Sequence, residues 1–178
     1  MNRSRIARAY VALRSAASSV SFQSALIIGS MSIVLWKPAL SDTVHCADVR
    51  FLVEQSTTNF SSIRKETKGE PGGLQTTFVL EGAEYCLIIE QVKTDSYRCT
   101  WKYSYGDKLA GEDFEKLASG IRECLGSGVI VREDMAVNHP DTYESYLLTL
   151  PGTAARISLK DKIEMKSTYV SFTIDGMQ

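Results

Sequence analysis

TTFVLEGAEYCLIIEQVKTDSYRCTWKYSY, residues 76–105, decides the fold. In its second half Tyr97, Cys99, Trp101, Tyr103 and Tyr105 recur at every other position, with Arg98, Thr100, Lys102 and Ser104 between them. Successive side chains of a strand point to opposite faces, so this period of two predicts a strand with one buried and one wet face. The first half, Phe78-Val79-Leu80 and then Tyr85, Leu87, Ile88 and Ile89, is apolar throughout, as expected of a strand covered on both sides. Lys93-Thr94-Asp95-Ser96 supplies turn residues that bond the local backbone. A hairpin with its loop at 91–94 sets Cys86 directly opposite Cys99, within disulfide reach.

Upstream, a helix is expected from Asp42 or Thr43 to about Lys68, with Gly69 at its exit. Cys46, Val49, Leu52, Val53, Phe60 and Ile63 fall on one face at helical spacing. The sequon Asn59-Phe60-Ser61 lies inside that helix and reads as coincidence. Gly69-Glu70-Pro71-Gly72-Gly73 breaks the chain before the hairpin. Downstream, Glu112 to Leu125 predicts a second helix whose buried stripe is Phe114, Leu117, Ala118, Ile121, Cys124 and Leu125. Cys46 near the start of one helix and Cys124 near the end of the other meet if the helices pack antiparallel. The favoured disulfides are therefore Cys46–Cys124 and Cys86–Cys99. By loop-closure entropy they contribute about 4.5 and about 3 kcal/mol.

The rest reads as strand: Val129-Ile130-Val131, then Tyr143 to Leu150 and Ala154 to Lys160 around the turn pair Pro151-Gly152, and last Val170, Phe172 and Ile174 alternating with Ser171 and Thr173. The order α-β-β-α-β-β-β-β predicts an α+β two-layer sandwich, an antiparallel sheet of about five to six strands with two helices on one face.

The N-terminus speaks to compartment. Arg3, Arg5, Arg8 and Arg14 precede 22 uncharged residues, Ser15 to Trp36, and Ala39-Leu40-Ser41 offers small residues for cleavage. Residues 1–41 thus read as a signal peptide or, if uncleaved, an N-terminal membrane anchor, with 42–178 a single disulfide-braced domain outside the cytoplasm, periplasmic or extracellular. All four cysteines fall in that body, the pattern of an oxidising compartment. Five of the 20 basic residues and none of the 21 acidic ones lie in 1–41, so 42–178 carries 15 against 21, a net −6. An acidic body argues against a nucleic-acid partner, because phosphate contacts need concentrated Lys and Arg.

Chemical motifs are sparse. Asn138-His139-Pro140-Asp141 is the strongest polar constellation, a loop in which His139 has a carboxylate two residues on; such residues are equally plain turn formers. His45 is the only other histidine, too few for a zinc site. No nucleophile elbow or phosphate-cradling loop is present, and no cofactor is implied. The aromatic row of the second strand reads as core, and as a recognition platform only if its face is bare. The expectation is an exported, non-enzymatic module that binds another envelope or secreted protein. Alternatives are an inhibitor or immunity-type protein and a small hydrolase or lyase using His139 and Asp141. Membrane contact is expected only through an uncleaved N-terminal segment.

Overall fold

The computed structural model describes residues 44–69, 72–133 and 143–177. Every described residue belongs to one compact unit. The expected export segment 1–41 and the expected cap residues Asp42 and Thr43 lie outside the described residues.

The elements run α1 (Cys46–Ser56), β1 (Arg64–Lys68), β2 (Leu74–Thr76), β3 (Tyr85–Ile89), β4 (Ser96–Ser104), α2 (Lys108–Leu125), β5 (Ile130–Glu133), β6 (Tyr143–Leu150), β7 (Thr153–Lys162) and β8 (Ser167–Asp175). The strands form one antiparallel sheet in the order β1-β2-β3-β4-β8-β7-β6-β5. Both helices pack on one face. Val49 and Leu52 of α1 and Ala110, Phe114, Leu117 and Ile121 of α2 close over Ile88, Tyr97, Cys99, Trp101, Ile157, Val170, Phe172 and Ile174 in one core. This is the expected α+β two-layer sandwich, with eight strands rather than five or six.

The two extra strands, and four boundaries, correct the sequence reading. The first helix stops at Ser56 and does not reach Lys68. Thr57-Thr58 is a β-branched pair poor in helix propensity, and Asn59 and Phe60 then take left-handed φ of 53° and 60°. That reversal drops Phe60 and Ile63 into the core, 6.1 Å separating the Phe60 and Tyr97 rings. Burying an aromatic side chain, worth about 1.5–3 kcal/mol, offsets a left-handed phenylalanine. Arg64–Lys68 thereafter is an edge strand, exposed at four of its five positions, whose charges discourage pairing with other chains. The sequon accordingly sits in a turn and not in a helix.

Phe78-Val79-Leu80 is not strand. The Phe78 N–H turns to the Thr76 hydroxyl, 3.1 Å away. The Phe78 ring packs on Phe51 at 4.8 Å, while its carbonyl accepts the Tyr97 hydroxyl at 3.0 Å. The first hairpin strand is β3 alone. It is buried on both faces at Cys86, Leu87 and Ile88, because Gly69 lies against Leu87 on the side away from the helices. The second helix begins at Lys108, four residues before Glu112, since the Asp107 side chain caps it by accepting from the Leu109 N–H at 3.0 Å. The hairpin loop runs over 90–95, with Ile89 paired to Ser96 and Cys86 opposite Cys99.

Candidate functional site

With the helices on one face, the sheet's other face is set by register. Arg98 lies opposite Thr173, and Thr173 opposite Arg156. Lys102, Tyr169 and Lys160 form a second row, and Ser104, Ser167 and Lys162 a third. Thr100, Ser171 and Ser158 align between the first two. On β4, β8 and β7 this face carries five basic residues, Arg98, Lys102, Arg156, Lys160 and Lys162, and a single carboxylate, Asp175. Flanking strands are about 4.8 Å from β8, so cations in one row stand about 10 Å apart. Their mutual repulsion is about 0.4 kcal/mol per pair in water before screening. The pattern stands in a body whose net charge is negative.

One hydroxyl positions Arg98 on this face. Arg98 Nε donates to Thr173 Oγ1 at 3.2 Å, which fixes that guanidinium over the centre of the sheet. Beside it a shallow recess of about 370 Å³ is bordered by Gly73, Tyr85, Leu87, Ile89, Glu90 and Arg98. A recess with an apolar wall of Tyr85, Leu87 and Ile89 and one charge of each sign, Arg98 and Glu90, at its rim suits an apolar partner side chain.

Two other polar places belong to the helix layer. Between α2 and β5–β6 a cleft of about 350 Å³ has Val131, Tyr146, Leu148 and Ala118 as its apolar wall and Glu115, Lys116, Ser119 and Arg122 at its rim. Tyr146 stacks on Phe114 at 5.3 Å and 9° and donates to Glu115 Oε1 at 3.3 Å. Desolvation, then the Glu115 charge, pushes the Tyr146 hydroxyl above the usual phenol range. Deeper in, Asp113 is fully buried. Its Oδ2 accepts the Tyr103 hydroxyl at 2.9 Å, its Oδ1 makes no hydrogen bond, and Lys116 Nζ is 3.7 Å away. Burial first, then Asp113, raises the Tyr103 hydroxyl. The pair ties α2 to β4.

Cys46 is joined to Cys124 with Cα atoms 4.9 Å apart, linking the helices, and Cys86 to Cys99 at 4.1 Å, linking β3 to β4; no cysteine is free. Two disulfides mark a body that matures in an oxidising, non-cytoplasmic compartment. His45 stands at the head of α1 with Nε2 3.4 Å from Glu81 Oε2, both side chains largely exposed. Asn138, His139 and Asp141 lie outside the described residues. Of the aromatic row, Tyr97 and Trp101 are core, Tyr103 is half-buried and Tyr105 is exposed. Among the described residues no group of three or more His, Cys, Asp or Glu is placed to hold a metal, and no helix is long and apolar enough to cross a membrane.

The basic face went unseen in the sequence although half its signal was there. Arg98-x-x-x-Lys102 and Arg156-x-x-x-Lys160-x-Lys162 both show the strand period, but nothing local says that β8 will bring those two strands within two strand spacings of each other. No family model, curated protein or solved structure matches this chain.

Proposed function

We propose that this chain is an exported, non-enzymatic binding module, periplasmic or secreted, that engages another envelope or secreted protein through the face of its sheet away from the helices. The observation that carries this reading is the segregation of Arg98, Lys102, Arg156, Lys160 and Lys162 onto one face of a body with net charge −6. A partner with an acidic surface is the complement, steered by the summed field, which does not require any one cation to lack a neighbour. The recess beside Tyr85 and Leu87 gives that partner a place for one apolar anchor. Two disulfides keep the sheet preorganised, which lowers the ordering cost of association.

The test is capture from an envelope extract with the oxidised protein and with Arg98→Glu, whose exposed position leaves the fold intact. A partner retained by the native face at low salt, released by added salt and at least tenfold weaker on the variant supports the reading. A partner held equally by both proteins, or none at all, overturns it.

A further inference from the structure

Between β3 and β4 the chain leaves the sheet as Glu90-Gln91-Val92-Lys93-Thr94-Asp95. Gln91, Val92 and Lys93 are exposed, Val92 completely. A recess of about 880 Å³ opens between this loop and Leu150, Gly152 and Thr153 at the β6–β7 turn, so the apex stands clear of its neighbours. Residues 91–94 make no backbone–backbone hydrogen bond with another described residue, and none of residues 90–95 takes a positive φ. Their amides and carbonyls are therefore open to a partner strand, in the half of φ space that an extended peptide uses. Lys93 has no ion pair among the described residues, although Asp175 lines the same recess.

The feet of the loop are as firm as its apex is free. Ile89 pairs with Ser96 beneath it, and Gln91 Nε2 donates to the Ser96 hydroxyl. The Gln91 N–H reaches Asp95 Oδ1 at 3.4 Å. Asp95 itself is buried, its N–H on Asn59 Oδ1 and its carbonyl on the Gly176 N–H. Both disulfides, moreover, straddle the loop: Cys46 and Cys86 precede it, and their partners Cys124 and Cys99 follow it. A break in the chain at 91–94 leaves the two pieces joined by two covalent bonds and by the β3–β4 pairing. A loop so built can be cut without coming apart.

We propose that this loop is bait for a secreted or envelope serine protease of trypsin-like specificity, with Lys93 in the pocket that selects lysine and arginine and Lys93–Thr94 as the bond presented to the nucleophile. The unpaired ammonium of Lys93 complements the carboxylate at the base of such a pocket. A loop already held in place also avoids the ordering cost that a flexible substrate bears. The protease serine oxygen adds to the Lys93 carbonyl carbon, the C–N bond breaks, and the serine proton passes by way of the histidine to the Thr94 nitrogen. From a loose peptide that amine diffuses away and water completes the hydrolysis. Here Thr94 is joined to the anchored Asp95, so the amine stays at hand. It attacks the acyl carbon, re-forms the peptide bond and returns the proton to the serine. The protease is thus occupied without turning over. Lys93 is no part of the basic face, and its role does not depend on the partner-binding reading.

Trypsin is the probe. The oxidised protein is expected to slow its turnover of a chromogenic lysine substrate, saturating at equimolar protein. Any cut in the loop should show on a gel only after the disulfides are reduced. Lys93→Gln is expected to weaken inhibition by about 100-fold or more, with an unchanged unfolding midpoint because the side chain faces solvent. Lys93→Leu should transfer inhibition from trypsin to chymotrypsin, whose pocket is apolar. Lys65→Gln, on the exposed edge strand β1, should inhibit as the native protein does. The arginines of residues 1–41 are common to every variant, so any competition from them cancels. No slowing beyond that given by Lys93→Gln overturns the proposal. So does hydrolysis of Lys93–Thr94 to completion at the pace of a free peptide, which makes the loop a substrate and not bait. Either failure leaves capture through Arg98 untouched.

Discussion

Arg64, at the start of β1, pairs with Asp95 in the loop before β4, and this ion pair locks three distant pieces of chain together. The Asp95 N–H donates to Asn59 Oδ1 at 2.8 Å, and the Asp95 carbonyl accepts from Gly176 N–H at 2.7 Å. The left-handed turn after α1, the β3–β4 loop and the residue after β8 thus converge on one aspartate. Asp95→Asn leaves the Arg64 guanidinium poorly compensated, and stability is expected to fall by about 2–3 kcal/mol, at or below the usual cost of breaking a buried pair because Arg64 keeps some water. Urea unfolding of Asp95→Asn, Arg64→Ala and the double variant measures it; additive losses mean that the two side chains do not interact.

The two disulfides close loops of very different size, with sequence separations of 78 and 13. Replacing Cys46 and Cys124 by alanine is expected to cost about 4.5 kcal/mol, and replacing Cys86 and Cys99 about 3 kcal/mol. Guanidinium unfolding ranks the variants. A larger loss from the short loop means that strand pairing, and not chain entropy, sets the balance.

Gly73 has φ +100°, and a Cβ there would stand 2.7 Å from the Ile88 carbonyl oxygen. Backbone cannot move aside as a side chain can, so Gly73→Ala is expected to lose about 1–3 kcal/mol. The lower urea midpoint should come with a loosened β2–β3 pairing, seen as faster amide exchange at Leu74 and Leu87. A variant as stable as the native protein places this turn elsewhere.

Burial raises the hydroxyls of Tyr97 and Tyr103 above the ordinary phenol value of 10.0, the Asp113 hydrogen bond adding to the effect at Tyr103. Below about pH 10 both tyrosines are protonated whether folded or not, and their contribution is fully present. Above it the unfolded chain releases those protons first, so stability falls as pH rises. Urea midpoints taken from pH 8 upward should decline beyond about pH 10, and Tyr103→Phe should flatten the slope. A slope identical in the variant removes Tyr103 from the account.

Where the sequence was legible, one residue reported on one face. The alternation in β4, in β6 and β7 around Pro151-Gly152, and in β8 places each strand within a few residues of its position in the sheet. It failed where tertiary contacts override local pattern. Phe60 and Ile63 continue the helical spacing of Val49 and Leu52, yet reach the core through a reversed turn. Phe78 and Leu80 are apolar because Phe78 packs on Phe51 of α1 and Leu80 is buried in the core, not because they extend. The basic face is legible one strand at a time and invisible as a surface. Its two basic strands are some 50 residues apart in sequence, and only β8 makes them near neighbours.

Because β8 sits between β4 and β7, the sheet is two halves joined by its last strand. Until Ser167–Asp175 is in place, β4 and β7 each present an unpaired inner edge, open to association with other chains. The Cys86–Cys99 and Cys46–Cys124 bonds both lie upstream of that strand, so thiol oxidation has everything it requires before the last strand docks. Covalent closure that precedes sheet closure would fasten the first half and its helices in readiness, leaving arrival of the central strand as the event that commits the molecule.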